Sequence, residues 1–208
     1  MFPDLTRDDV FRLETRRLWL RWPRAADAAD IARQVGDKAV AEMTSHIPHP
    51  YPDGAAQAFV VKARRANQEG AGLTMAITPR AEPQTPIGVV GITSRDGGAE
   101  IGYWIGTAHE GHGLATEAAR ALIDAYFAYL DATELAASAR VINPASRRVL
   151  EKCGFTHLGS GLRPFPARGG IVPVDLFRLE RRAWASFKAW SNAGYVPVPA
   201  QTEQRACA

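Results

Sequence analysis

The chain has 208 residues, 46% of them hydrophobic and 23% charged, enough to bury a substantial core and ordinary for a globular enzyme. Its formal charge of +3, from 25 basic and 22 acidic residues, is scattered in short pairs such as Arg64-Arg65, Arg147-Arg148 and Arg181-Arg182. That supplies no polybasic tract for nucleic acid and only a mild preference for anionic ligands. Cys153 and Cys207 lie far apart with no C-x-x-C, which argues against a disulfide framework or a zinc site. The charged start, "MFPDLTRDDVF", and the lack of a bilayer-length apolar run point to a cytoplasmic protein away from membranes.

In chain order, Arg12–Trp22 ("RLETRRLWLRW") reads as one strand and residues 25–35 as a helix stopped by Gly36. The proline-rich "HIPHPYPDG" (46–54) reads as a loop, followed by a helix from Ala55 to Glu69 that Gly70 and Gly72 end. Leu73–Thr78 and residues 87–93 read as strands, "SRDGG" as a hairpin turn, and residues 99–106 ("AEIGYWIG") as its partner strand. After "EGHG", Ala119, Leu122, Ile123, Tyr126, Phe127 and Leu130 fall on one helical stripe. Residues 135–142 read as a strand. In "NPASRRVLEKCGF", Asn143 reads as an N-cap, Pro144 as the first helical residue and Gly154 as the stop. Strands near 155–161 and 171–180 follow. Residues 1–190 read as one domain and 191–208 as a flexible tail. The order predicts an α+β (mixed α/β) fold whose glycine loop closes a strand and opens a helix.

What "EGHGLAT" can hold decides the function. A P-loop needs a lysine after the loop, and none follows. A dinucleotide fingerprint matches Gly111 and Gly113, but Thr116 stands where the third glycine belongs. A third reading is a coenzyme A pyrophosphate on successive loop amides at a helix N-terminus, where the helix dipole and unpaired N–H groups favour an anion. A plain strand-to-helix turn accounts for the glycines equally well.

The flanking residues add to this. "LETRRLWLR", "AEIGYWIG", "EGHGLATEA" and "NPASRRVLEKCGF", in this order, resemble the GCN5-related N-acetyltransferase (GNAT) superfamily, closest to its RimJ/RimL-like branch, over roughly Leu13–Trp184. The resemblance implies a central, mostly antiparallel twisted sheet of about seven strands flanked by helices. It implies acetyl-CoA as co-substrate and no metal, held along Trp104, Ile105 and Gly106, by the amides of Gly111, His112, Gly113, Leu114, Ala115 and Thr116, and at Asn143. In the superfamily's loop pattern Glu110 takes a place usually held by Arg or Gln, an acidic departure beside a pyrophosphate. The resemblance also implies a primary amine acceptor, a protein N-terminus or a small amine, and leaves a homodimer open.

Attack requires a neutral amine. An α-amine, with a pKa of about 7.7–8.0, is partly neutral near pH 7, so a base need only be positioned. Glu100 is the candidate base, sharing a strand face with Gly102 and Trp104. The N-x-x-S serine proposed as proton donor in this branch is Ser146 here. Cys153 shares a stripe with Val149 and Leu150 and is expected to be buried, which argues against a covalent acetyl-enzyme and for direct transfer in a ternary complex. His46 and His49 lack acidic or cysteine partners for a metal. Trp19, Trp22, Tyr103 and Trp104 read as core. Arg163 and Arg168 could favour an acidic acceptor or be solvated. The competing functions are a non-catalytic acyl-CoA-binding or ribosome-associated module, and a nicotinamide-dependent oxidoreductase.

Overall fold

In the computed structural model, which describes residues 1–95 and 98–192, "RLETRRLWLR" is two strands rather than one. β1 (Arg12–Glu14) and β2 (Leu18–Arg21) pair antiparallel across a tight turn. The Thr15 amide donates to the Leu18 carbonyl at 2.9 Å, and the Leu18 amide donates to Thr15 Oγ at 2.9 Å. The sheet therefore has eight strands, one more than expected, in the order β1-β2-β3-β4-β5-β6-β8-β7. The others are β3 (Gly72–Pro79), β4 (Gly88–Arg95), β5 (Gly98–Ile105), β6 (Glu134–Arg140), β7 (Thr156–Phe165) and β8 (Gly170–Glu180). Every neighbouring pair is antiparallel except β5 with β6.

Helices cover both faces. α1 (Ala28–Val35), α2 (Lys38–Glu42) and α3 (Ala55–Gln68) form one layer around Ile31, Val35, Val40 and Val60. α4 (Leu114–Tyr129) and α5 (Pro144–Lys152) lie on the other, where Leu122, Ile123, Phe127 and Leu150 join the inward residues of β2 to β6. The expected α4 stripe is this buried face. Because strand residues alternate in direction, Trp104 packs into the α1–α3 cluster while Tyr103 and Ile105 pack on the α4–α5 side.

Two helices went unrecognised in the sequence. α2 is short and capped by Asp37, whose carboxylate accepts from the Ala39 amide at 2.9 Å. α6 (Arg181–Asn192) runs into the expected tail, so Ser191 and Asn192 are helical; the rest of that tail, 193–208, lies outside the described residues. α6 is docked by Trp184, which stacks on Phe127 and whose indole N–H donates to Asp124 at 2.7 Å.

One ion pair fastens β2 to the entry of α1. Arg21 meets Asp27 through two bonds of 2.7 and 2.9 Å, with side chains only 6% and 2% exposed. The Arg24 amide also donates to Asp27, at 2.7 Å. Removing one partner strands the other charge in a buried site. Asp27→Ala is expected to lower unfolding stability by about 3–5 kcal/mol, read from urea denaturation; a loss below about 1 kcal/mol would show the pair to be dispensable.

Candidate active site

β5 and β6 pair only at Glu100–Ala136 and Ile101–Ala137, although β5 continues to Ile105 and β6 to Arg140. Beyond those two pairs the parallel strands part, leaving a wedge in the middle of the sheet. The side of β5 facing β6 from Gly102 onward loses its ladder, and unpaired backbone groups of this kind demand another partner. Trp104 and Ile105 line this stretch. Gly106 ends it, buried, with its amide donating to the Ile87 carbonyl at 2.9 Å; a side chain at Gly106 would collide with Gln34.

The chain then turns through "EGHG" into α4. Gly111 (φ 77°) and Gly113 (φ 75°) both occupy the left-handed region, with nothing crowding the space where a Cβ would sit. The glycines are therefore required by backbone conformation rather than by a tight neighbour. Gly113 caps α4 without a side-chain acceptor, and among the described residues the amides of Gly111, His112, Gly113, Leu114, Ala115 and Thr116 bond to no acceptor. Together they form an electropositive helix entrance. Glu110 is exposed to water beside it.

A brace invisible to local sequence reading holds this entrance. Glu117, in the first turn of α4, accepts from Thr15 Oγ at 2.7 Å, from the Arg17 amide at 2.9 Å and from Arg17 Nε at 2.7 Å. Arg17 also donates to the His112 carbonyl at 2.9 Å, so the β1–β2 turn grips both the loop and the helix that follows it. Burial alone would raise the Glu117 carboxyl. The bonds from Thr15 and Arg17, with the guanidinium charge, outweigh it and hold the group below its ordinary value of 4.5.

Across the wedge, Asn143 caps α5, its Oδ1 accepting from the Ser146 amide at 3.0 Å. Ser146 is half-buried in that first turn. Tyr103, expected only to fill core, reaches from β5 to place its hydroxyl 3.0 Å from Ser146 Oγ and 3.1 Å from the Ser146 carbonyl. Glu100 lies on the opposite face of the sheet, where Ser138 of β6 donates to its Oε1 at 2.7 Å. Gly102, next along that face, is exposed and leaves the surface beside Glu100 open. Tyr103 and Ser138 escaped the sequence reading because their partners lie 43 and 38 residues away. Cys153 is buried, and burial pushes its thiol up to about 11, leaving it protonated and a poor nucleophile near neutrality.

On the Glu100 face, Arg140 donates to the Glu42 carbonyl at 2.7 Å and lies over Phe165. Arg168 donates to the carbonyls of Ala41 and Ile47, so it clamps the 41–47 segment to the β7–β8 turn instead of being solvated. Arg163 is exposed. His46 bonds Ser45 Oγ at 2.6 Å, and among the described residues no three His, Cys, Asp or Glu side chains gather as a metal site. A cavity of about 660 Å³ between the β1–β2 turn and α4 is lined by Arg17, Gly113, Glu117 and Arg120 among others. None of Glu100, Tyr103, Asn143 or Ser146 lines it. Among the described residues no helix is long and apolar enough to cross a membrane.

A split parallel pair feeding a glycine loop at a helix N-terminus sets an opened sheet edge beside a row of unbonded amides that can accept an anionic ligand. The acetyltransferase (GNAT) domain family matches residues 17–156, and the chain belongs to this family, whose acyl donor is acetyl-CoA. An N-acetyltransferase of Bacillus licheniformis, p20, of uncharacterised function, is 30% identical over 178 residues, covering 83% of this chain and 98% of p20. YdaF of Bacillus subtilis (strain 168), provisionally named a ribosomal N-acetyltransferase, is 37% identical over 90 residues, 43% of this chain and about half (49%) of its own length. Among solved structures, Mycobacterium smegmatis RimJ in complex with CoA-disulfide matches with a TM-score of 0.70 at 22% identity, covering 87% of this chain and 93% of that one. That last likeness concerns the fold alone.

Glu117→Gln removes the charge that grips Arg17 and is expected to weaken acetyl-CoA binding about three- to tenfold by calorimetry, with little change in kcat. Unchanged affinity would show that the brace does not order the loop. With its carboxyl held low, Glu117 contributes stability present in full above pH 4.5 and lost as pH falls through the lower folded value. The wild type's urea-midpoint advantage over Glu117→Gln is therefore expected to narrow below that pH; an advantage constant with pH would contradict the assignment.

Proposed function

We propose that the protein transfers the acetyl group of acetyl-CoA directly to a primary amine in a ternary complex. The observation that carries this reading is the wedge with its two chemically different faces. Ser146, Asn143 and the α4 entrance lie on the α4–α5 side; Glu100 and open Gly102 lie on the α1–α3 side. A thioester laid through the gap would be reached by donor chemistry from one side and by an amine from the other.

In this reading the pyrophosphate meets the amides of Gly111, His112, Gly113, Leu114, Ala115 and Thr116. The pantetheine arm passes along Trp104, Ile105 and Gly106 toward Asn143. Glu100, oriented by Ser138, accepts the amine proton directly or through one water as nitrogen attacks the carbonyl carbon. The C–S bond then breaks, and Ser146 Oγ donates to the departing sulfur. Buried, protonated Cys153 favours direct transfer over an acetyl-enzyme.

The acceptor we infer is a protein N-terminal amine. The provisional name of YdaF supports it. So does chemistry: an α-amine, with a pKa of about 7.7–8.0, needs only a positioned carboxylate and no strong base. A thiol-release assay with acetyl-CoA across N-terminal peptides, polyamines and free amino acids tests this directly. Peptides are expected to give the highest kcat/KM, and amide formation should map to the α-amine by mass spectrometry. Preference for a polyamine would overturn the acceptor, and CoA release with no amine in the panel would overturn the activity. Glu100→Gln and Ser146→Ala are each expected to lower kcat by about tenfold or more while retaining acetyl-CoA binding; full kcat in either variant removes that residue from the mechanism.

A further inference from the structure

Ser146 has a difficulty as a donor: a serine hydroxyl rotates freely and, in the first turn of a helix, tends to bond its own backbone. Helix geometry alone does not aim its proton into the wedge. What sets Ser146 apart from an ordinary first-turn serine is Tyr103. Its hydroxyl comes from the opposite wall and sits within 3.0 Å of Ser146 Oγ and 3.1 Å of the Ser146 carbonyl.

We propose that Tyr103 is the positioning residue for Ser146, donating its hydroxyl proton to Ser146 Oγ so that the serine's own proton points at the departing coenzyme A sulfur. This rests on the proposed donor role of Ser146.

The proton inventory supports the assignment. Tyr103 and Ser146 have one hydroxyl proton each. If Tyr103 donates to the Ser146 carbonyl, the serine proton can turn back onto the tyrosine oxygen, away from the wedge. If Tyr103 donates to Ser146 Oγ, the serine proton is released for a third acceptor. A sulfur gaining negative charge selects the second arrangement, a chain from phenol to serine to thiolate in which each bond polarises the next. The carbonyl carbon–sulfur bond breaks, the electron pair stays on sulfur, and the thiolate accepts the serine hydrogen bond. The amine proton resides on Glu100, so no redox partner or extra proton is needed. Burial raises the Tyr103 hydroxyl well above its ordinary value, so the phenol keeps its proton across the working pH range and serves as donor, not as a tyrosinate base. Backbone placement fits as well. Tyr103 is two residues past the last β5–β6 pair, where the strand has left its neighbour and its side chain can span the gap to α5.

Tyr103→Phe, which retains the ring and its packing, is tested beside Ser146→Ala and the double variant, with kcat and KM for acetyl-CoA measured at saturating acceptor. Tyr103→Phe is expected to lower kcat about three- to tenfold with KM for acetyl-CoA unchanged. The double variant is expected to match Ser146→Ala, because Tyr103 acts only through Ser146. With the acetyl thioester of an aromatic thiol, whose thiolate leaves without a donor, the deficit of Tyr103→Phe should disappear. A loss of packing alone would persist with that substrate. Wild-type kcat in Tyr103→Phe beside an impaired Ser146→Ala overturns the Tyr103 role alone, as do losses that multiply in the double variant. Full kcat in Ser146→Ala overturns the donor reading and this proposal with it. Thermal midpoints of the three variants show whether each is folded.

Discussion

Everything proposed for this protein depends on β5 and β6 parting after two residue pairs. A continuous parallel ladder from Glu100 to Arg140 would close the sheet and separate its two faces completely. Instead the ladder stops at Ile101–Ala137, and the backbone of Gly102 to Ile105 is left with pairing on its β4 side alone. Unpaired groups in the interior of a sheet are costly, so the strands must be held apart by their surroundings. Trp104 anchors β5 in the α1–α3 layer and Tyr103 in the opposite one. On the other wall, Arg140 and Arg168 tie the end of β6 and the β7–β8 turn to the 41–47 segment through backbone carbonyls. The wedge is built by packing on both sides of a break.

The glycine loop is the second half of the same construction. Gly111 and Gly113 let the chain turn through left-handed backbone and leave a row of amides uncovered at the start of α4. Such a row is poorly ordered unless tied down, and the tie comes from the β1–β2 turn through Thr15, Arg17 and Glu117. Residues about 100 positions apart thus share one task. That gives a physical reason for the "LETRRL" opening and "ATEA" to occur in one chain. Glu117 pairs with Arg17 within the brace, so in the proposed reading the pyrophosphate is held by the amides and the helix dipole.

Much of this was legible in the sequence because its signals are local. Gly111, Gly113, Asn143, Pro144 and Gly154 mark where helices start and stop by backbone chemistry that needs no knowledge of the fold. The periodic stripe of α4 predicts its buried face. The break between β1 and β2 was not legible: "ETRRL" has no glycine, proline or asparagine, and Thr15 turns the chain with its own hydroxyl while bonding a distant glutamate. α2 is too short to show a period. α6 follows directly on β8, and Trp184 and Arg181 reveal it through contacts on Phe127. For the same reason Tyr103 reads as core and Ser138 does not stand out: each acquires its meaning from a partner on another element. The family resemblance supplied what spacing could not, and the long-range bonds at Tyr103, Ser138 and Glu117 add what the resemblance did not contain.

The central claim is that acetyl-CoA occupies the wedge and the α4 entrance together. Amide hydrogen exchange followed residue by residue, with and without saturating acetyl-CoA, tests it most directly. Protection is expected in three separate segments at once: 103–106 on β5, 111–116 in the loop and first turn of α4, and 143–146 at the start of α5. Protection confined to the groove between the β1–β2 turn and α4, or absent from the 111–116 amides, would contradict it.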